Sequence, residues 1–353
     1  MPHSRIPTTR EIAEACGCSQ STVSNALRGD HRISDETRRR IQKTATDMGW
    51  RANPLASAFM AHLRATRAPR YQATLAFAVT NPAGPRVEDL PHNQRENFHG
   101  ARARAEELGF RLEPLWLHEP GLNAGNLLRV LHNRGIPGLV LPGLPQPLPW
   151  LDDFPWDALG VVALGQTLQQ TPLHRVSIDY SHSIPMALRR LRALGYRRIG
   201  VVVSTAYDHK VNHGWLYPLY YEQRHGVRPI RTCVFDGSSA TDRLRVRGWI
   251  EREQPDAILG EYLAWHTLRD LGLRVPDDVA FATFDCSPEH PEIGGIDQRH
   301  DVIGASAVDL LATQLLHNER GLPSVCKKLL IEGGWRDAPS VPERVPLRGL
   351  PHG

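Results

Sequence analysis

The stretch from Thr8 to Leu27 constrains this chain more than any other, because its punctuation fits two short helices meeting at a tight turn. Thr8-Thr9-Arg10-Glu11 has the form of a capping box, in which Thr8 accepts from the Glu11 backbone N–H and the Glu11 side chain reaches back. Ile12, Ala13 and Ala15 then supply a small, close-packing face. Cys16-Gly17-Cys18 interrupts it, Gly17 being suited to a left-handed turn. Ser19 is a natural N-cap for a second helix from Gln20 to about Leu27, with Val23, Ala26 and Leu27 facing inward. Its opposite face carries Gln20, Ser21, Thr22, Ser24 and Asn25, short hydrogen-bonding side chains of the kind that read base edges in a major groove. Arg28-Gly29-Asp30 ends that helix. A third is expected after Ser34 as N-cap, with Asp35 and Glu36 in its first turn and its end near Met48-Gly49.

Charge agrees with this pattern. Met1 to Arg70 holds 12 Lys+Arg against 6 Asp+Glu, a net of +6, which leaves −2 for the rest of a chain whose total is +4. A basic head on a nearly neutral body suits nucleic-acid binding by the head alone. The 353 residues, 41% of them hydrophobic, can fill more than one core. No apolar run approaches the ~18–20 residues of a membrane span, and the first residues lack an apolar signal region. Five cysteines do not suggest a disulfide framework, so the expected compartment is the reducing cytoplasm.

The pattern T-x-x-E-I-A-x-x-C-G-C-S-x-x-T-V-S-x-x-L resembles the helix-turn-helix of LacI/GalR-type transcription regulators. Arg32-Ile33-Ser34-Asp35-Glu36-Thr37-Arg38 and Gly49-Trp50-Arg51-Ala52-Asn53-Pro54 continue that resemblance without a gap. Cys16-Gly17-Cys18-Ser19 stands where the family usually reads A-G-V-S, and Trp50 where Tyr is common. The resemblance implies phosphate contacts from Ser19 and Thr22 and base reading by Gln20 and Ser21, with Ser24 and Asn25 beside them. Ser34, Thr37 and Asn53 would grip the DNA backbone, and Thr9, Arg28, Trp50 and Ala56 complete the implied contact set. Asn53 to Leu63 reads as a short helix with Asn53 as cap and Pro54 at its first position. By resemblance it is a hinge that folds on the operator, two copies entering the minor groove. Phe59 is then an apolar wedge between base pairs or packs on its dimer mate.

From Tyr71 onward apolar runs alternate with helical segments. Strands are expected at 74–79, 112–117, 138–141, 160–164, 199–203, 257–259 and 279–282, and helices at 97–108, 126–134, 183–194, 212–225 and 263–271. Such alternation argues for parallel sheets covered by helices on both faces, in two lobes with a cleft at the strand ends. The body resembles the LacI/GalR effector domain, through Arg134-Gly135-Ile136-Pro137-Gly138, Val176-Ser177-Ile178-Asp179, Leu194-Gly195-Tyr196, Val275-Pro276-Asp277-Asp278-Val279 and Thr283-Phe284-Asp285. The expected fold is therefore an all-α helix-turn-helix head plus an α/β body of two doubly wound parallel-sheet lobes of periplasmic-binding-protein type. The head would span 1–52, hinge and linker 53–70 and the effector-binding and dimerisation domain 71–353. Lobe 1 would take about 71–172 and 296–322, lobe 2 about 173–295 and 323–353.

The pocket motifs depart from the family. Gly260-Glu261-Tyr262-Leu263-Ala264-Trp265 replaces N-D-x-x-A-x-G, and Val211-Asn212-His213-Gly214-Trp215 replaces R-x-x-G-[FW], with Lys210 one place away. Asp285 carries over from G-[FY]-D, or serves its own strand end. Tyr207, Asp208, Lys210, Glu261 and Trp265 are the further effector-binding candidates, Trp265 as a stacking surface or a core residue. No phosphate-loop, nucleophile-elbow or zinc-protease motif is present, and no catalysis or cofactor is expected. Asp208-His209-x₃-His213 is the only compact histidine cluster and reads better as a solvated loop than as a metal site. The expected function is a dimeric, sequence-specific repressor of a palindromic operator, modulated by a sugar or related metabolite. The alternative is control by a protein partner with no small effector.

Overall fold

The computed structural model describes residues 9–27, 33–48, 73–80, 86–119, 121–144, 148–151, 154–226 and 229–344. Thr8 of the expected capping box, Arg28, Trp50, Asn53, Ala56, Phe59 and the whole hinge lie outside the described residues.

Three helices form the head: α1 (Thr9–Cys16), α2 (Gln20–Leu27) and α3 (Asp35–Asp47). They enclose Ile12, Ala13, Val23, Ala26, Ile41 and Ala45, with Cys16, Cys18, Leu27 and Ile33 packed around them. Ala15 is exposed, because Ile12 and Cys16, one turn apart, define the inward stripe and leave it to the side. Gly17 at φ +60° ends α1, with its N–H on the Glu14 carbonyl and that of Cys18 on the Ala13 carbonyl, a Schellman closure. Ser19 starts α2 by accepting the Thr22 N–H at 3.1 Å. Ser34 starts α3 in the same way, through the Thr37 N–H.

The body opens with β1 (Thr74–Val79), α4 (His92–Glu107), β2 (Arg111–Trp116), α5 (Ala124–Asn133), β3 (Gly138–Leu141), β4 (Gly160–Leu164) and β5 (His174–Asp179). It continues with α6 (Tyr180–Ala193), β6 (Ile199–Ser204), α7 (Thr205–Lys210), α8 (Leu216–His225) and β7 (Arg231–Phe235). Next come α9 (Asp242–Glu253), β8 (Ala257–Gly260), α10 (Tyr262–Asp270), β9 (Ala280–Thr283), β10 (Gly294–Asp297), α11 (His300–Leu316), β11 (Lys328–Glu332) and β12 (Gly334–Arg336). Two six-stranded sheets result, ordered β11-β5-β4-β3-β1-β2 and β12-β10-β9-β8-β6-β7. All neighbours run parallel except β12, which pairs antiparallel with β10.

Burial on both faces explains why the central strands are continuous apolar runs. In β1, Leu75 and Phe77 enter the core shared with α4 and α11, while Ala76 and Ala78 face the cluster around Leu127 and Leu131 of α5. In β6, Val201 and Val203 face the α6 and α8 side, and Val202 faces Trp249 of α9.

The structure corrects the expected lobe boundaries. Strand β5 belongs to the first sheet rather than opening the second lobe, and β11 joins β5 at that sheet's edge rather than lying in the second lobe. The chain thus crosses between lobes after β5, after β10 and after β11. The expected 212–225 helix begins only at Leu216, because Asn212 and His213 take positive φ, and the separate α7 precedes that break. Helix α4 begins at His92, five residues earlier than the apolar periodicity indicates, because its first turn is polar. Strands β5, β7, β10, β11 and β12 and helices α7, α9 and α11 are not among the elements expected from the sequence. No helix among the described residues is long and apolar enough to cross a membrane.

Helices α4 and α11 meet through glycine. A Cβ on Gly100 would lie 2.0 Å from the Asp301 carbonyl oxygen, and one on Gly304 would lie 2.0 Å from that of Asn97. Backbone cannot swing aside as a side-chain tip can. Gly304→Ala is therefore expected to cost about 1–3 kcal/mol through forced separation of the helices. Urea unfolding of the full chain checks this, and an unchanged midpoint would contradict the packing.

Candidate functional site

Two regions bring polar side chains to accessible positions. The first is the head, where α2 and α3 both begin on serine N-caps. Ser19 Oγ lies 2.8 Å from Thr22 Oγ1 as well as accepting the Thr22 N–H. Ser34 Oγ donates to Thr37 Oγ1 at 2.9 Å. Ser19, Gln20 and Ser34 are exposed, and Thr22 and Thr37 half-buried. Each helix start adds the positive end of a helix dipole, a setting that attracts phosphate. Thr9 opens α1, and Ser21, Ser24 and Asn25 lie within α2.

The second region is a cleft of about 210 Å³ between the lobes, at the carboxyl ends of the strands. Asn93, Gln94 and Asn97 reach it from the start of α4, Ser177 from β5, and Tyr207 and Lys210 from α7. Asp285 follows β9, and Gln298 and His300 follow β10. Beneath it, Trp215 stacks on Phe284 with ring centroids 4.5 Å apart, and Tyr180 meets Trp215 edge-on at 4.7 Å. Burial pushes the Tyr207 phenol far above its ordinary value.

Of the residues expected to bind an effector, Asp285, Tyr207 and Lys210 line this cleft, whereas Glu261 and Trp265 do not. Glu261 instead accepts from the backbone N–H and, at 3.1 Å, the hydroxyl of Ser204, tying the end of β6 to the start of α10. Burial pushes its pKa up. Trp265 sits against Phe281, ring centroids 5.5 Å apart, on the face of α10 turned to the second lobe's core. Asp208 is buried and holds the α7–α8 break. Its carboxylate accepts the Trp215 and Leu216 N–H groups at 3.1 and 3.0 Å and lies 2.9 Å from His213 Nδ1. The compact Asp208–His213 cluster is therefore a local knot.

Asp285 is held by two residues that sequence reading missed. His300 Nε2 lies 2.9 and 3.0 Å from its two carboxylate oxygens, and His92 Nε2 lies 3.2 Å from Oδ2. Burial alone would raise the Asp285 pKa, yet the two imidazoles hold it down to about 2. Burial works to lower the His300 pKa, and the Asp285 carboxylate prevails and raises it. His92 and His300 open α4 and α11, each following a strand of the body. That placement is the only signal in the sequence that could have singled them out. Among the described residues, these three form the only group of three His, Cys, Asp or Glu donors close enough to share a cation. Gln94 Oε1 and Asn97 Oδ1, also on the cleft wall, are buried with no hydrogen-bond partner.

Comparison with known proteins bears on both regions. Residues 8–53 match the family of bacterial regulatory proteins of lacI type, and residues 188–333 match the periplasmic binding protein-like domain. The regulator PtxS of Pseudomonas aeruginosa is 24% identical over 325 residues, covering 87% of this chain and 89% of that one. PtxS of Pseudomonas plecoglossicida is 27% identical over 202 residues, 57% of this chain and 54% of its own length. In fold, the chain is similar to the transcriptional regulator CelR in complex with cellobiose, at TM-score 0.53 and 22% identity, covering 95% of this chain and 99% of that one. It is also similar to the lac repressor dimer bound to operator and the anti-inducer ONPF, at TM-score 0.53 and 19% identity, covering 96% and 99%. A lacI-type head in the order and spacing of its motifs, followed by a periplasmic-binding-protein-like body, gives this chain the domain order of DNA-binding transcription regulators of LacI/GalR type.

Proposed function

We propose that the protein is a dimeric repressor that reads a palindromic operator and is controlled by a small polar metabolite, in the sugar class, bound between its lobes. The observation that carries the effector half is the pair of buried, unpartnered carbonyl oxygens of Gln94 and Asn97 on the cleft wall. Such groups cost stability unless something donates to them, and a polyol's hydroxyls are suitable donors. The relatives add support, since CelR is described with cellobiose and lac repressor with an anti-inducer. The volume of about 210 Å³ lies under the ~300 Å³ lower end of drug-sized sites, which favours a small ligand. Asp285, Tyr207 and Lys210 are the effector-contacting residues in this reading, joined by Gln94, Asn97 and Gln298. Glu261 and Trp265 support the second lobe.

On DNA, Ser19, Thr22, Ser34 and Thr37 position the head on phosphate, Asn53 adding to them, while Gln20 and Ser21 read bases with Ser24 and Asn25 beside them. Thr9, Arg28, Trp50, Ala56 and Phe59 complete the surface, Phe59 as the minor-groove wedge. One such head reads one half-site, so two-fold symmetry in the protein matches two-fold symmetry in the operator. The reducing cytoplasm, where the DNA lies, is the compartment this reading implies.

Two measurements test the halves separately. Gln20→Ala is expected to weaken the cognate operator by about 1–3 kcal/mol and to relax one base position per half-site. Selection of binding sites from a random DNA library reads this out, and uniform weakening on all DNA would rule out base reading by Gln20. For the effector, a thermal-shift panel of sugars and related metabolites, run in a metal chelator, is expected to give a hit. At a hundredfold excess over Kd the stabilisation is about 2.7 kcal/mol. Gln94→Met, which replaces an unsatisfied amide by an apolar chain of similar size, is expected to keep the ligand-free stability and to lose the shift. A panel without hits, or an undiminished shift in Gln94→Met, counts against this cleft.

A further inference from the structure

We propose that His92, Asp285 and His300 bind a divalent transition-metal ion of the zinc class, held jointly by the two lobes. Both histidines present Nε2 to one carboxylate, and the donor atoms of all three lie within 4.8 Å of one another. The nitrogen–oxygen separations of 2.9 to 3.2 Å are close to what an ion imposes. A tetrahedral ion at ~2.0–2.1 Å from nitrogen and ~2.0–2.2 Å from oxygen sets its ligand atoms roughly 3.3–3.5 Å apart. The two nitrogen–oxygen separations fall a few tenths of an ångström short of that, and with all three donors within 4.8 Å of one another, side-chain rotation can enclose an ion. His92 Nε2 adds an independent pointer. It is buried and close to Asp285 Oδ2, yet it is not aligned to donate to it and has no other partner. A ring nitrogen aimed past the carboxylate is poorly used as a hydrogen-bond donor and well placed as a metal ligand.

The donor set sets the class of ion. Two imidazoles with one carboxylate suit zinc, cobalt, nickel and ferrous iron, not calcium or magnesium, which prefer all-oxygen shells. Three protein ligands also leave room for a fourth donor from the cleft that Asp285 and His300 line. The supports are rigid: His92 and His300 start α4 and α11, which pack backbone to backbone, and Asp285 follows β9 of the opposite sheet. An ion here would bridge the lobes, and its affinity would depend on their separation. This goes beyond the metabolite reading, which requires no metal.

Cobalt(II) titration of the chelator-stripped, dialysed full-length chain tests it, followed by visible d–d absorption and by calorimetry. The expected result is one tight equivalent per chain with the spectrum of a low-coordinate nitrogen–oxygen site, displaced by zinc. His92→Gln and His300→Ala should each weaken it by roughly tenfold or more. His209→Ala, which removes an exposed imidazole on α7, should leave it unchanged. Melting curves in chelator establish that each variant is folded, and His92→Gln serves if His300→Ala is not. No tight equivalent in the native chain, leaving the trio as an imidazole–carboxylate ion pair only, would overturn the proposal. So would a tight equivalent that survives both histidine substitutions. A metabolite shift in chelator together with no cobalt site would sink this inference and leave the effector reading standing.

Discussion

The cleft depends on how closely α4 and α11 approach. His92 and His300 meet at their starts, Gly304 lies on the Asn97 carbonyl farther along, and Arg104 pairs with Asp309 at 2.7 Å beyond that. The two helices therefore run in the same direction, with their N-termini together at the strand ends. Because Gly100 and Gly304 remove the side chains that would hold the backbones apart, the imidazoles come within reach of one carboxylate. Bulkier residues at those two positions would part the helices and leave Asp285 buried with fewer imidazole partners. A buried carboxylate without such partners takes up a proton or destabilises the fold. Packing at the glycines thus sets the electrostatics some two turns away.

That arrangement satisfies the centre of the cleft and leaves its wall unsatisfied. Asp285 is surrounded by imidazoles, Gln298 donates to the Phe284 carbonyl at 3.0 Å, and Asp208 is used up in capping α8. Gln94 and Asn97, on the α4 side, keep unfilled acceptors. A polar group buried without a partner weakens the ligand-free state, so a molecule that donates to it gains from relieving that cost as well as from its own contacts. The aromatic floor of Trp215, Phe284 and Tyr180 offers ring faces and edges, so the hydrogen-bonding selectivity lies in the polar wall.

The head was almost wholly legible in the sequence. Its contacts are local: Gly17 closes α1, Ser19 and Ser34 start the next two helices, and Ile12, Val23 and Ala26 repeat at helical spacing. Only Ala15 was misplaced, through an uncertainty of one residue in the inward stripe. The body's central strands were equally plain, since Leu75 to Val79 or Ile199 to Val203 can only be buried on both faces. What stayed hidden was set by distant partners. Strand β5 begins with His174 and Arg175, which look exposed in sequence and are buried because β11 covers β5 and the Leu168 and Thr171 carbonyls take the Arg175 guanidinium. Helix α11 is apolar around most of its circumference, so periodicity gave it no inward face. His92 and His300 lie far apart in the chain and carry no motif, and only the pairing of α4 with α11 brings them to Asp285. Of the two readings open for Trp265, its half-buried contact with Phe281 answers to the core one, because α10 turns that face to the second lobe.

The three crossings between the lobes are themselves packed on one another, and this determines how a ligand can act. Ser183, just inside α6, donates to the Asp179 carbonyl at 2.7 Å, and its hydroxyl lies 2.7 Å from where a Cβ on Gly333 would sit. Gly333 in turn faces the Asp297 carbonyl, and Gly334 lies beside the Arg299 guanidinium. Arg299 takes a left-handed φ of 54° immediately before His300. A change in the angle between lobes must be absorbed at these few residues, because the sheets on either side are packed against their helices. His300 belongs to the second crossing, one residue from that left-handed turn, and also lines the cleft. A ligand that engages His300 or Asp285 therefore touches the pivot directly and needs no relay through either core. By linkage, whatever such a ligand does to the lobe angle it can transmit only to the extent that it binds one angle better than another.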